Sequence, residues 1–183
     1  VHRLQKRGPV APLTPDDGVG SPRRRRLATI VLVALIIVAA DQITKTIAID
    51  NLAHGPIQLV GPLSLALSFN SGVAFSIGTG LTLPIIVVVI VSIFLLAWFA
   101  RGTPSMPVAV GTGLILGGAL GNLGDRLFRG HGGAVVDFVH LGFWPTFNLA
   151  DASIVIGTIV VLISILWGGR HPFVPVEMED HEP

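Results

Sequence analysis

Two aspartates, Asp137 and Asp151, fall at the edges of segments apolar enough to span a membrane. Two neighbouring carboxylates do not both ionise easily, so one keeps a proton and the pair offers a general base and a general acid together. That combination activates water for amide hydrolysis without a cofactor. The chain contains no cysteine, which excludes disulfides, thiol catalysis and cysteine-ligated metal centres. Its histidines (His2, His54, His131, His140, His171 and His181) show no paired metal-ligand spacing, and no glycine-rich phosphate loop is present. Asp137 and Asp151 also suit helix starts, where a carboxylate caps free N–H groups and complements the macrodipole. On chemistry alone both readings stay open.

The remaining charges between Leu27 and Gly169 are few: Asp41, Lys45, Asp50, Arg101, Asp125, Arg126 and Arg129. A charge at bilayer depth costs about 2.5–3.5 kcal/mol on insertion scales, so one that persists there is a functional-site hypothesis by default. Asp41 and Lys45 are four apart and share a helix face, a spacing that favours a structural polar clamp. Asn122, Asp125 and Arg126 stand at i, i+3 and i+4, and a structural ion pair between Asp125 and Arg126 is the favoured reading. Asn148 lies just ahead of Asp151.

The elements that must carry these groups follow from composition. The 183 residues are 51% hydrophobic and 13% charged, against roughly 25% charged in soluble domains; this is a membrane protein. At roughly 20 residues per span, four apolar runs qualify: Leu27–Ile49, about Leu81–Ala100, Pro107–Leu127 and Ala150–Trp167. Residues 1–26 are expected to form a disordered cytoplasmic tail, 27–169 a four-helix transmembrane domain, and 170–183 a short cytoplasmic tail. The first run is too long for the core of a cleavable signal peptide. Arg23–Arg26 before the first span, Arg101 after the second and Arg170 after the fourth put both termini in the cytoplasm by the positive-inside rule.

Two long connections then lie outside. In the first, Asp50–Gly80, Leu63, Leu65, Leu67 and Phe69 alternate with Ser64, Ala66, Ser68 and Asn70, the period of a half-buried strand. The second, Phe128–Leu149, carries Gly130, Gly132, Gly133 and Gly142 with Phe143, Trp144 and Phe147, aromatics suited to the interfacial belt. With this topology Asp41, Lys45, Asn70, Asn122, Asp125, Arg126, Asp137, Asn148 and Asp151 all gather near the outer leaflet, while the inner halves of the spans are essentially apolar. The pattern predicts one shallow polar site open to the outside.

The ordered segments Asp41-Gln42-x-x-Lys45, Phe69-Asn70-Ser71-Gly72-Val73-Ala74-Phe75-Ser76, Gly121-Asn122-Leu123-Gly124-Asp125-Arg126, Val135-Val136-Asp137-Phe138 and Phe147-Asn148-Leu149-Ala150-Asp151 resemble the motif set of the lipoprotein signal peptidases, or signal peptidase II. The match spans about residues 27–167. Each motif is weak alone; the ordered set is specific. The resemblance implies a bacterial aspartyl endopeptidase of four transmembrane helices with a small extracytoplasmic β element. Such an enzyme sits in the cytoplasmic membrane and cuts prolipoproteins before the diacylglyceryl-modified cysteine. It further implies Asp137 and Asp151 as catalytic dyad, with Asn70, Asn122, Arg126 and Asn148 supporting the site or contacting substrate. Asp41 and Asp125, with Lys45 beside them, match positions that matter for activity or stability. No metal or other cofactor is expected, the partners are lipid-modified prolipoproteins and membrane lipids rather than nucleic acid, the enzyme is expected to be a monomer, and globomycin should inhibit it.

Other classes fit less well. An intramembrane protease of the Gly-x-Gly-Asp type would need a different sequence before Asp125. A proton-coupled transporter or channel component would need a polar path across the inner halves of the spans, and a metal-dependent lipid phosphotransferase a tighter cluster of carboxylates.

Overall fold

A serine followed by proline opens the first helix. Ser21 Oγ accepts a hydrogen bond from the Arg24 N–H and Pro22 sits in the first turn, where its missing N–H costs nothing. Helix α1 therefore runs Pro22–Leu52 and takes in Arg23–Arg26, which composition alone assigns to an unstructured tail. The computed structural model describes residues 21–72, 82–100, 102 and 105–168. Arg101, Arg170, the stretch 73–76 of the second motif and both tail ends lie outside the described residues.

Strands β1 (Ile57–Val60) and β2 (Leu63–Asn70) follow α1, then helices α2 (Thr82–Ala100) and α3 (Met106–Phe128), strands β3 (Val135–Leu141) and β4 (Trp144–Phe147), and helix α4 (Leu149–Gly168). The helices reproduce the expected apolar runs to within a few residues. Among the described residues α1, α3 and α4 are each long and apolar enough to cross a membrane. The outward faces of α1 and α4 carry Leu35, Val155, Leu166 and Trp167 at more than half exposure, as does α2 with Phe94 and Trp98. That much exposed apolar surface suits a lipid environment.

Helix α3 is the centre of the bundle: half of its most apolar stretch is buried (50%), against 17% for α1 and for α4. Glycine makes this possible. A Cβ on Gly113 or Gly117 would press on Val33 or Ile37 of α1 at 2.8 and 2.7 Å, and one on Gly121 would lie 2.6 Å from Asp41 Oδ2. On another face of α3, a Cβ on Gly111 would lie 2.8 Å from the Gly157 carbonyl of α4, and one on Gly118 would collide with the Ala150 carbonyl. Small residues four apart let helix backbones approach closely in a membrane, and the Gly113-Gly117-Gly121 series is a signal that sequence reading passed over.

The strands form one antiparallel sheet in the order β1-β2-β3-β4. The period-two segment is β2, as expected. Periodicity does not announce β1, β3 or β4, although β3 has the β-branched and aromatic residues strands favour (Val135, Val136, Phe138, Val139). Gly142, at φ +48°, closes the two-residue turn between Leu141 and Trp144. Phe143 at its tip is 83% exposed.

Candidate active site

Asn148 and Asp151 build the start of α4 together. The Asp151 N–H donates to Asn148 Oδ1 at 3.0 Å, and the Asn148 N–H donates to Asp151 Oδ2 at 3.2 Å. This is a reciprocal capping box, so the helix-start role considered for Asp151 is real. It does not end there. Asn148 is fully buried, and its Nδ2 donates to Asp137 Oδ1 at 2.7 Å, to Asn122 Oδ1 at 3.1 Å and to the Val136 carbonyl at 3.2 Å. One asparagine therefore touches both aspartates.

Asp137 lies within β3, away from any helix start, and is 1% exposed. Its Oδ2 accepts from Asn70 Nδ2 at 3.0 Å, while Asn70 Oδ1 accepts from the Gly72 N–H at 2.8 Å and so fixes the amide's orientation. The partnership depends on an irregularity. Leu65 pairs with Val139 and Ser68 with Asp137, three steps on β2 against two on β3. A bulge absorbs the extra residue, so the alternation that began at Leu63 is re-phased and Asn70 comes to the side of Asp137.

Burial pushes the Asp137 carboxyl up from its ordinary 3.8 to about 6; the charge of Asp151 adds to this, and the hydrogen bonds from Asn70 and Asn148 oppose it. A carboxyl poised there can hold a proton near neutral pH. Asp151 in turn accepts from Asn122 Nδ2 at 2.8 Å through its Oδ1.

Behind the two aspartates lies a second layer of charge. Lys45 is fully buried, with its Nζ 2.8 Å from Asp41 Oδ2, 2.8 Å from Asp125 Oδ2 and 2.9 Å from Asn122 Oδ1. The Asp41–Lys45 clamp is present as expected. The Asp125–Arg126 ion pair is not: the cations paired with Asp125 are Lys45 and Arg129, the latter at 2.9 Å. Residues i and i+1 point to different sides of a helix, whereas Arg129, one turn on, shares the face of Asp125. Arg126 instead donates to the Asn122 carbonyl at 3.3 Å, its buried Nε has no hydrogen-bond partner, and it sits in the field of Asp151, Asp125 and Asp137.

All nine predicted site residues thus join one hydrogen-bonded cluster carried by α1, β2, α3, β3 and α4. Sequence reasoning assigned no role to Gln42 or Arg129. Gln42 Nε2 donates to Asp125 Oδ1 at 3.0 Å, and Arg129 returns to Gln42 Oε1 at 2.8 Å. The i, i+4 spacing of Asp125 and Arg129 was the available signal. Beside Asp151 an apolar cavity of about 390 Å³ opens between the β3–β4 hairpin and α4, lined by Leu141, Phe143, Trp144, Phe147, Val155 and Ile156.

The family model of signal peptidase (SPase) II matches residues 33–167. A lipoprotein signal peptidase of Mycobacterium tuberculosis (strain H37Rv) is 40% identical over 176 residues, covering 88% of this chain and 86% of that one. One from Rhodococcus jostii (strain RHA1) is 43% identical over 164 residues, covering 84% and 82%. Among solved structures, a bacterial membrane enzyme determined by the in meso method at 1.9 Å superposes with a TM-score of 0.69 at 29% identity, over 76% of this chain and 94% of its own. With its motifs in one cluster and its helices on that membrane-enzyme fold, the chain belongs to the signal peptidase II family.

Proposed function

We propose that this protein is an aspartic endopeptidase that removes signal peptides from prolipoproteins, cutting before the diacylglyceryl-modified cysteine, with Asp137 and Asp151 as its catalytic dyad. The observation that carries the reading is Asn148, which hydrogen-bonds Asp137 at 2.7 Å and Asp151 at 3.2 Å and so holds two carboxylates from different elements to one point. Asp137, with its carboxyl raised to about 6, serves as the proton donor of the pair and Asp151 as the base. Asp151 takes a proton from water as its oxygen attacks the scissile carbonyl, and Asp137 gives its proton to the carbonyl oxygen. Collapse of the tetrahedral intermediate returns a proton to Asp137 and delivers one from Asp151 to the leaving amine. Arg126, with donors left over, supports the substrate backbone.

The membrane arrangement in this reading has four spans, α2 being the second, with both termini cytoplasmic and the sheet outside. The 19-residue α2 is about 28 Å long at 1.5 Å per residue, close to the hydrocarbon thickness of about 30 Å. A monomer in the cytoplasmic membrane suffices, since every proposed site residue comes from one chain. A substrate anchored by its lipid and its signal helix meets the site already oriented, and orientation can supply several kcal/mol of a barrier. The apolar cavity beside Asp151 suits such a substrate. The transporter alternative finds no support, because the buried charged groups among the described residues (Asp41, Lys45, Asp125 and Asp137) gather toward one end of the bundle.

Purified enzyme should cleave a diacylglyceryl-modified prolipoprotein and leave the same precursor with a free cysteine intact. Equal rates on the two would overturn the assignment. Cysteines at Val60, which is exposed in the first outer connection, or at Gly132 should react with an impermeant thiol reagent in intact cells and one at Arg101 should not; the reverse would overturn the topology.

A further inference from the structure

The buried charges behind the dyad repeat one motif. Asp41 Oδ1 accepts the N–H of Ala150, the residue before Asp151, at 3.0 Å. Asp125 Oδ2 accepts the N–H of Val136, the residue before Asp137, at 3.0 Å. Each of the two carboxylates therefore grips the backbone one residue ahead of a proposed catalytic aspartate, one on α4 and one on β3. The same ammonium, Lys45 Nζ, joins both carboxylates at 2.8 Å. A third arm leads through Asn122. Its Oδ1 accepts from Lys45 at 2.9 Å and from Asn148 at 3.1 Å, which leaves its Nδ2 to donate to Asp151 Oδ1 at 2.8 Å. Without those two donors the amide has no reason to prefer that orientation.

We infer that Lys45 is a positioning residue that sets the separation of Asp137 and Asp151, acting through Asp41 on the backbone of α4, through Asp125 on that of β3, and through Asn122 on the Asp151 side chain. This rests on the reading of Asp137 and Asp151 as the dyad. No other side chain among the described residues is bonded to all three intermediaries. A site of this kind is sensitive to spacing, since displacement by about 1 Å can cost about a hundredfold in rate. A lysine that served only to neutralise two buried acids would be replaceable by any change that restored the charge balance.

That difference provides the test. Full-length enzyme in detergent is assayed on lipid-modified prolipoprotein as wild type, Lys45→Met and Lys45→Met/Asp41→Asn, with kcat, KM and melting temperature measured for each. Lys45→Met removes the cation and leaves Asp41 and Asp125 facing Arg129 alone; the double variant returns the cluster to neutrality, Asp125 against Arg129. The double variant is expected to recover most of the melting temperature lost by the single one. Both are expected to show kcat reduced about tenfold or more with KM within about twofold of wild type, the signature of an interaction felt in the transition state alone. Recovery of kcat along with the melting temperature in the double variant would overturn the inference, as would an unchanged kcat in Lys45→Met. If neither variant folds, Lys45 is a folding residue and the inference falls too. A wild type that leaves the lipid-modified substrate uncut would instead refute the proposed function, before any variant is compared.

Discussion

Two pairs of aspartates stand close together in this fold and are held by different chemistry. Asp41 and Asp125 share the ammonium of Lys45, and Asp125 has Arg129 besides. Asp137 and Asp151 have no cation within ion-pairing distance among the described residues; neutral amide donors from Asn70, Asn122 and Asn148 hold them. Protonating a carboxylate beside a buried ammonium forfeits the Coulomb energy of the pair. Protonating one held by neutral amides beside a second carboxylate relieves repulsion. The first pair is suited to hold structure and the second to exchange protons.

The sharpest way to break this comparison is to neutralise each pair in turn. Asp137→Asn or Asp151→Asn should lower kcat by about a thousandfold or more, within reach of lost acid–base catalysis and lost activation of water. The double variant should be little worse than either single one, because the two act as a unit. Steady-state cleavage of lipid-modified precursor checks this, and near-normal turnover by either single variant would remove the dyad from the mechanism.

The corresponding change in the other pair should appear in stability. Asp125→Ala leaves Lys45 and Arg129 without their shared partner and should destabilise by about 3–5 kcal/mol, the usual cost of breaking a buried pair from one side. Chemical denaturation in detergent would register it; a loss under about 1 kcal/mol would show that water or lipid headgroups solvate the cluster. A smaller effect on the same pair is expected from Gly121→Ala. Its Cβ would lie 2.6 Å from Asp41 Oδ2, and relieving that overlap should cost about 1–3 kcal/mol. The same denaturation curve measures it.

The last effect is a pH dependence confined to the second pair. The folded-state pKa of Asp137 is raised from 3.8 to about 6, so the folded protein holds a proton that the unfolded chain releases. Its contribution to stability is complete below 3.8 and is lost as pH rises through about 6. Melting temperature of wild type minus that of Asp137→Asn should therefore fall across this interval. A difference that is flat or rises with pH would mean that Asp137 is already ionised and pairs with an unforeseen donor.

Much of the fold was legible in the chain. The apolar runs gave α3 and α4 to within a residue, and the alternation from Leu63 gave β2. The five-residue extension of α1 was missed because the arginines lack apolar periodicity, though Ser21 and Pro22 supply a start signal. Strands β3 and β4 were missed because glycine and aromatic residues dominate that connection, and short strands without alternation resemble loops. The nine polar residues singled out in the chain come together in one cluster, since polar groups in or beside apolar segments are conspicuous wherever they stand. Their partners were not: adjacency pairs Asp125 with Arg126, whereas the folded chain sets it against Lys45 and Arg129.

Residue type and hydropathy are local properties, and they were enough to determine a membrane protein, the family motifs and the set of groups with any chemistry to offer. Which carboxylate receives a cation and which an amide is a property of how elements distant in sequence meet. It was decided by the glycines that bring α3 against α1 and α4 and by the bulge that turns Asn70 toward Asp137. A hydrogen bond needs about 3 Å and the right direction, and only the packed backbone of several elements supplies both.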